Sequence, residues 1–108
     1  MPRLRFGFTL SRPKFDGVIE AVRYTKDGRI SLARLYERRG AVWTDSLALD
    51  RKALAARLER GRRFVTGRRK MYCGATFETG SRVRLDGEAI RTDGAPAGRD
   101  SLTGVPVF

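Results

Sequence analysis

The 108-residue chain contains no histidine and only one cysteine, Cys73. Without histidine, Ser-His-Asp and Cys-His catalysis and histidine-based metal sites are excluded. A single cysteine cannot form an internal disulfide or a common zinc site. Cys73 is predicted to be a small buried hydrophobic residue, and a reactive thiol assisted by Lys70 is the alternative. We therefore expect a non-enzymatic protein without a metal or cofactor, in a reducing, cytoplasmic setting.

Long hydrophobic runs are also missing. The longest unbroken apolar stretch is four residues, 53–56, whereas a spanning helix needs about 20. The first residues, "MPRLRFGFTL", carry charges but lack the apolar core of a secretory signal. The sequence predicts neither a membrane protein nor a secreted one.

Familiar site motifs do not occur. No G-x-G-x-x-G is present, and "GRRFVTGRRK" lacks the Gly-Lys-Ser/Thr ending of a phosphate-binding loop. RNP-like, zinc-finger, KH and AT-hook patterns are absent, and one short helix does not make a helix-turn-helix. Asp86, Glu88 and Glu78 could in principle hold Mg²⁺, so a metal-dependent nuclease is a remote alternative to a polar hairpin tip.

What the chain does have is positive charge. The net charge is +11, from 23 basic and 12 acidic residues. The segment 51–70, "RKALAARLERGRRFVTGRRK", holds nine Lys or Arg and only one acid, Glu59. Most of the excess charge therefore lies in less than a fifth of the chain. Such a concentration favours a phosphate polymer or another anionic partner.

The length predicts one domain, 1–108, with an irregular C-terminal segment at 92–108. Alternation of apolar and polar residues predicts a strand at 3–11, and a three-strand meander is predicted at 18–25, 29–37 and 41–45. Residues Val18, Glu20, Val22 and Tyr24 are expected on one face of their strand, and Ile30, Leu32 and Tyr36 on one face of the next. Asp27-Gly28 is a strong hairpin signal.

Asp50 is a plausible N-cap and Gly61 a plausible residue after the C-cap of a helix that packs through Leu54 and Leu58. A short strand is predicted at 62–66 and a turn at "GRRK", 67–70. A second hairpin follows at Asp86-Gly87. The order of elements predicts an α+β fold with a small, mostly antiparallel sheet or a partly open barrel, and one short helix between strand groups.

The basic residues fall at the two ends of the predicted strand 62–66, which spans about 17 Å. Unpaired like charges so close together would destabilise the free fold, which suggests that a counter-charge binds there. Tyr72 is best placed to stack on a base, whereas Phe64 and Trp43 are expected in the core. The predicted nucleic-acid-binding residues are Arg57, Arg60, Arg62, Arg63, Arg68, Arg69, Lys70 and Tyr72.

Two hypotheses follow. In the first, the domain binds DNA or RNA through the phosphate backbone with little sequence specificity. In the second, it is an assembly or protein-interaction subunit whose basic face meets an acidic protein, and a homo-oligomer is compatible with it. In that second case the terminal residues Val105, Val107 and Phe108 dock on a neighbouring chain, although docking on the chain's own core is the alternative.

Overall fold

The computed structural model describes residues 15–40, 42–70, 77–92 and 99–108. Within these ranges the chain forms a mostly-sheet fold, in which a sheet curled into half a barrel carries one helix. The strands are β1 (Gly17–Tyr24), β2 (Ile30–Arg39), β3 (Val42–Trp43), β4 (Leu47–Asp50), β5 (Phe64–Arg69), β6 (Phe77–Asp86) and β7 (Ala89–Thr92). This is compatible with the predicted open barrel but contains more sheet than a typical α+β fold.

The strands follow the order β3-β2-β1-β5-β6-β7, with β4 pairing alongside β3 on the same edge of β2. Every pairing between the described strands is antiparallel except that of β1 with β5, in which Gly17 to Ile19 lie beside Phe64 to Thr66. The connection between these two parallel strands, residues 25–63, contains β2, β3, β4 and the helix α1 (Arg51–Glu59), and is long enough for the crossover that a parallel pair requires. The predicted strand 41–45 is confirmed only at Val42–Trp43, which form β3, and the separate strand β4 was not predicted.

Local signals for turns and caps predicted the structure well. Asp50 caps α1, accepting a hydrogen bond from the backbone N–H of Ala53 at 2.8 Å. Gly61 follows the C-cap with a φ of 86°, a conformation that only glycine adopts freely. Gly28 and Gly87 have positive φ in the β1–β2 and β6–β7 turns, so both predicted hairpins are confirmed.

The predicted strand faces are wrong in β1 and β2. A bulge between Ile19 and Ala21 leaves Glu20 unpaired and shifts the alternation by one residue. As a result Ile19 and Val22 both point into the hydrophobic core, although simple alternation placed them on opposite faces. A second irregularity, next to Tyr24, similarly brings Ala33 and Leu35 into the core with Ile30.

The core lies between the inner face of the sheet and α1. Leu54 of the helix is fully buried against the sheet, as predicted, and Leu58 packs at its margin. Phe64 is fully buried and confirms its predicted core position. The other members of the core cluster are Ile19, Val22, Ile30, Ala33, Leu35, Val83, Ile90, Leu102 and Val105.

The described C-terminal residues, 99–108, are tied to the sheet without forming a long strand. Val105 is in the core, while Val107 lies beside Val22 in an isolated parallel bridge and remains exposed. The backbone N–H of Phe108 donates to the carbonyl of Val22 at 3.0 Å. The terminal residues therefore dock on the chain's own sheet, one of the two predicted alternatives.

Asp100 fastens this segment to three other elements. Its carboxylate, 2% exposed, accepts hydrogen bonds from the backbone N–H groups of Ile30 at 2.8 Å and Ile90 at 2.9 Å. It also receives the guanidinium of Arg51 through two bonds, at 2.8 and 3.1 Å. One buried charge thus holds β2, β7, α1 and the C-terminal segment together.

We expect Asp100→Asn to lower the free energy of unfolding by about 3 kcal/mol, because it leaves the guanidinium of Arg51 without its charged partner and removes an acceptor. Urea denaturation at pH 7 measures the change. The matched control is Asp86→Asn, which breaks a more exposed pair with Arg91 and should cost less than about 1 kcal/mol. Equal losses of unfolding free energy in the two variants would show that the contacts of Asp100 do not hold these elements together.

Stability should also fall in acid. Burial alone raises the pKa of Asp100, but the hydrogen bonds from Arg51 and from two backbone N–H groups outweigh it and hold the pKa below its ordinary value. A lowered pKa stabilises the fold fully above the ordinary value of 3.8 and loses that contribution as the pH falls through the folded-state pKa. Wild-type unfolding free energy should therefore drop below about pH 4, and Asp100→Asn should show a shallower drop between pH 5 and 2. Parallel pH curves for the two proteins would contradict this.

Candidate nucleic-acid interface

The predicted binding residues lie along the path from α1 through β5. Arg57 is in the last turn of α1, Arg60 is its C-cap, and Arg62 and Arg63 lead into β5. The predicted turn at 67–70 is wrong, because β5 continues to Arg69. Arg68 and Arg69 therefore point to opposite faces of the sheet instead of sharing a loop. Tyr72 and Cys73 lie outside the described residues.

Glu37, near the end of β2, is a buried carboxylate surrounded by arginines. Its side chain is only 5% exposed, and Nε of Arg57 lies 2.7 Å from Oε2. Nη2 of Arg62 lies 3.5 Å from the same oxygen, and Arg39 approaches the other oxygen to 3.9 Å. A buried charge requires partners of this kind. Arg57 and Arg62 therefore stabilise the fold, whatever else they do.

Asp16, directly before β1, is a second buried carboxylate that is bound by arginines. It accepts from Nη2 of Arg38 at 3.0 Å and from the backbone N–H of Arg63 at 2.8 Å, while Nε of Arg63 lies 3.5 Å away. Burial by itself raises the pKa of Asp16, but the Arg63 backbone hydrogen bond and the charges of Arg62 and Arg63 outweigh it, so the pKa lies below its ordinary value. Asp16 is therefore charged at neutral pH and neutralises part of the arginine cluster.

The expectation of seven unpaired cations is wrong. Arg57 and Arg62 pair with Glu37, and Arg63 pairs with Asp16. Arg68 pairs with Glu78 at 2.6 Å, and the Arg68 hydrogen bond is the main cause that lowers the pKa of Glu78. That last pair is 75% and 51% exposed, so it contributes little to stability. Among the described residues, no carboxylate lies within ion-pair distance of Arg60, Arg69 or Lys70.

An open cavity of about 310 Å³ surrounds Glu37 at the end of β2 where α1 ends. We call it the basic basin, and its lining residues are Glu37, Arg38, Arg39, Arg57, Arg60 and Arg62. Five guanidinium groups against one carboxylate leave it a net charge of +4. Arg39, whose side chain is 69% exposed, and the exposed Arg60 form its solvent side. The basin brings together three of the predicted residues with two, Arg38 and Arg39, that the prediction omitted.

Beside the basin, four aromatic rings from four separate segments meet on the outer face of the sheet. We call them the aromatic row: Phe15, Trp43, Phe77 and Tyr36. Their ring centroids are 5.8 Å apart from Phe15 to Trp43, 4.7 Å from Trp43 to Phe77 and 5.4 Å from Phe77 to Tyr36. All four are half-buried. Trp43 was predicted to be in the core, but it lies on this outer surface because it pairs with Arg38 across β2 and β3.

Arg69 packs against the rings of the aromatic row and pairs with no described carboxylate. The central carbon of its guanidinium lies 4.5 Å from the ring centroid of Tyr36 and 5.7 Å from that of Phe77. The hydroxyl of Tyr36 donates to Glu20 at 3.2 Å. Burial and the negative charge of Glu20 raise the pKa of Tyr36 above its ordinary value, so this ring stays neutral at physiological pH. The sequence showed each of these residues singly, but their meeting depends on strand pairing across distant segments.

No family model, curated protein or solved structure matches the chain. In the described part of the chain, no group of three or more Cys, Asp or Glu residues is placed to hold a metal ion, and Asp86 accepts a hydrogen bond from Arg91 at 2.9 Å. No described helix is long and apolar enough to cross a bilayer.

Glu37→Gln should lower the free energy of unfolding by about 3 kcal/mol, because a neutral amide leaves the half-buried guanidinium groups of Arg57 and Arg62 without their charged partner. Urea denaturation at pH 7 measures it. Glu59→Gln makes the same change on an exposed residue of α1 and should shift the free energy by less than about 0.5 kcal/mol. A Glu37→Gln value as small as the Glu59→Gln value would mean that Glu37 does not organise the basin.

Proposed function

We propose that this protein is a non-enzymatic nucleic-acid-binding domain that holds the phosphate backbone in the basic basin, with little sequence specificity. The observation that supports the proposal most is the basin itself, an open concave surface of net charge +4. Guanidinium groups match phosphate oxygens in geometry as well as charge. A cytoplasmic setting is part of the proposal and follows from the near-absence of cysteine.

The arginines of the basin differ in whether a carboxylate already binds them and in how exposed they are. Arg57 and Arg62 are occupied by Glu37, which also fixes the positions of both side chains. Arg39 and Arg60 are the exposed members, and only Arg39 comes near a described carboxylate, at 3.9 Å. We therefore assign the direct phosphate contacts to Arg39 and Arg60 and a supporting role to Arg57 and Arg62. Such contacts position the strand but carry no base preference.

The test is fluorescence anisotropy with labelled single-stranded DNA, single-stranded RNA and duplex DNA at low and physiological salt. Arg39→Glu/Arg60→Glu should weaken binding about tenfold or more at low salt, because two phosphate contacts become repulsive. The control Lys26→Glu/Lys52→Glu changes the net charge by the same amount, at exposed positions that do not line the basin. It should weaken binding about twofold or less.

Two results would overturn the proposal. One is the absence of binding to all three polymers at low salt. The other is an equal loss in the two double variants, which would mean that overall charge, and not the basin, attracts the polymer. Absence of binding, together with a protein that purifies free of nucleic acid as a fixed oligomer, would favour the alternative of an assembly subunit with an acidic protein partner.

A further inference from the structure

The outer face of the sheet is covered by no helix in the described part of the chain. The helix α1 packs against the inner face, where Leu54 is buried. Residues paired across strands project from the same face, and on the outer side the pairs are Tyr36 with Val18 and Phe77 with Arg69. The rings of the aromatic row are half-buried on this face, each with part of its surface open to solvent.

Arg69 adds a positive charge to this surface. Among the described residues, its guanidinium contacts the rings of Tyr36 and Phe77 and forms no ion pair with a carboxylate. Its Nε is buried and has no hydrogen-bond partner among the described residues. A cation held against ring faces still attracts an anion. A partner for this face must therefore supply both flat apolar surface and negative charge.

The row and the basin lie on opposite faces of β2, because Tyr36 and Glu37 are adjacent in that strand, but they meet at its end around Arg38. Trp43 lies directly opposite Arg38, which lines the basin. Phe15 stands next to Asp16, which binds the same guanidinium of Arg38. A flexible strand with phosphates in the basin would therefore reach Trp43 and Phe15 by passing around this end of the sheet.

Resting on the nucleic-acid binding proposed above, we propose that the aromatic row stacks the bases of a single strand whose phosphates lie in the basic basin. Unpaired bases offer planar rings to the row, and the backbone offers anions to Arg69 and to the basin. In a duplex the base faces are already stacked on one another, so the row would gain nothing from them. The protein should therefore prefer single strands through Phe15, Trp43, Phe77 and Tyr36.

Trp43 is the only tryptophan in the chain, so its fluorescence reports on the row directly. The protein is titrated with a single-stranded oligothymidine of about ten nucleotides, with an abasic strand of equal phosphate number, and with a duplex of equal length. Oligothymidine should quench the Trp43 emission and bind on the order of tenfold more tightly than the abasic strand. Duplex and abasic strands should leave the Trp43 emission unchanged. A parallel titration of free tryptophan amide corrects for light that the oligonucleotide absorbs.

Phe77→Leu keeps the apolar volume but removes a stacking ring, and it should weaken oligothymidine binding about fivefold while leaving abasic binding unchanged. Val107→Ala truncates an exposed apolar residue outside the row and should change neither. Equal affinity for oligothymidine and abasic strand, with constant Trp43 emission, would overturn the stacking proposal and leave phosphate binding in the basin standing. Failure of all the strands to bind would overturn both.

Discussion

Buried carboxylates paired with arginine are the interaction on which most of this structure depends. Asp16, Glu37 and Asp100 are each removed from water at a point where separate parts of the chain meet. A carboxylate in that position is tolerated only when cations and N–H groups surround it. Each one therefore dictates where its arginines lie, and together they join both ends of the described chain to the helix and the central strands. Removing a single partner would leave an isolated charge inside the protein.

Because of this pairing, not all of the chain's net charge of +11 is available to a binding partner. In the segment 51–70, part of the charge excess is used inside the fold, because Arg51, Arg57, Arg62 and Arg63 all bind buried carboxylates. The charge that remains for a partner is smaller and more localised than the sequence implied. It lies on the solvent side of the basic basin and around Arg69, next to rings that the sequence did not bring together. The surface is thus cationic and aromatic at once.

Features determined by neighbouring residues were predictable, and features determined by distant pairing were not. The Asp50 cap, the glycine after α1 and the two Asp-Gly hairpins each depend on a few adjacent residues. The bulge at Glu20 has no local signal, so the faces of β1 and β2 were assigned wrongly. Glu37 pairs with an arginine 20 residues away, and composition alone cannot show such a partner. For the same reason the seven cations were expected to be free, and Trp43 was expected in the core.

The dependence of single-strand affinity on salt tests the central claim most directly, because its slope counts the cations that displace counterions. Log affinity against log salt falls by about 0.7 for each phosphate neutralised on a single strand. If carboxylates occupy Arg57, Arg62, Arg63 and Arg68, only Arg39, Arg60, Arg69 and Lys70 contribute and the slope should lie between about −2 and −3. A slope of about −5 or steeper would mean that the whole segment of seven predicted cations contacts phosphate, and it would contradict the account.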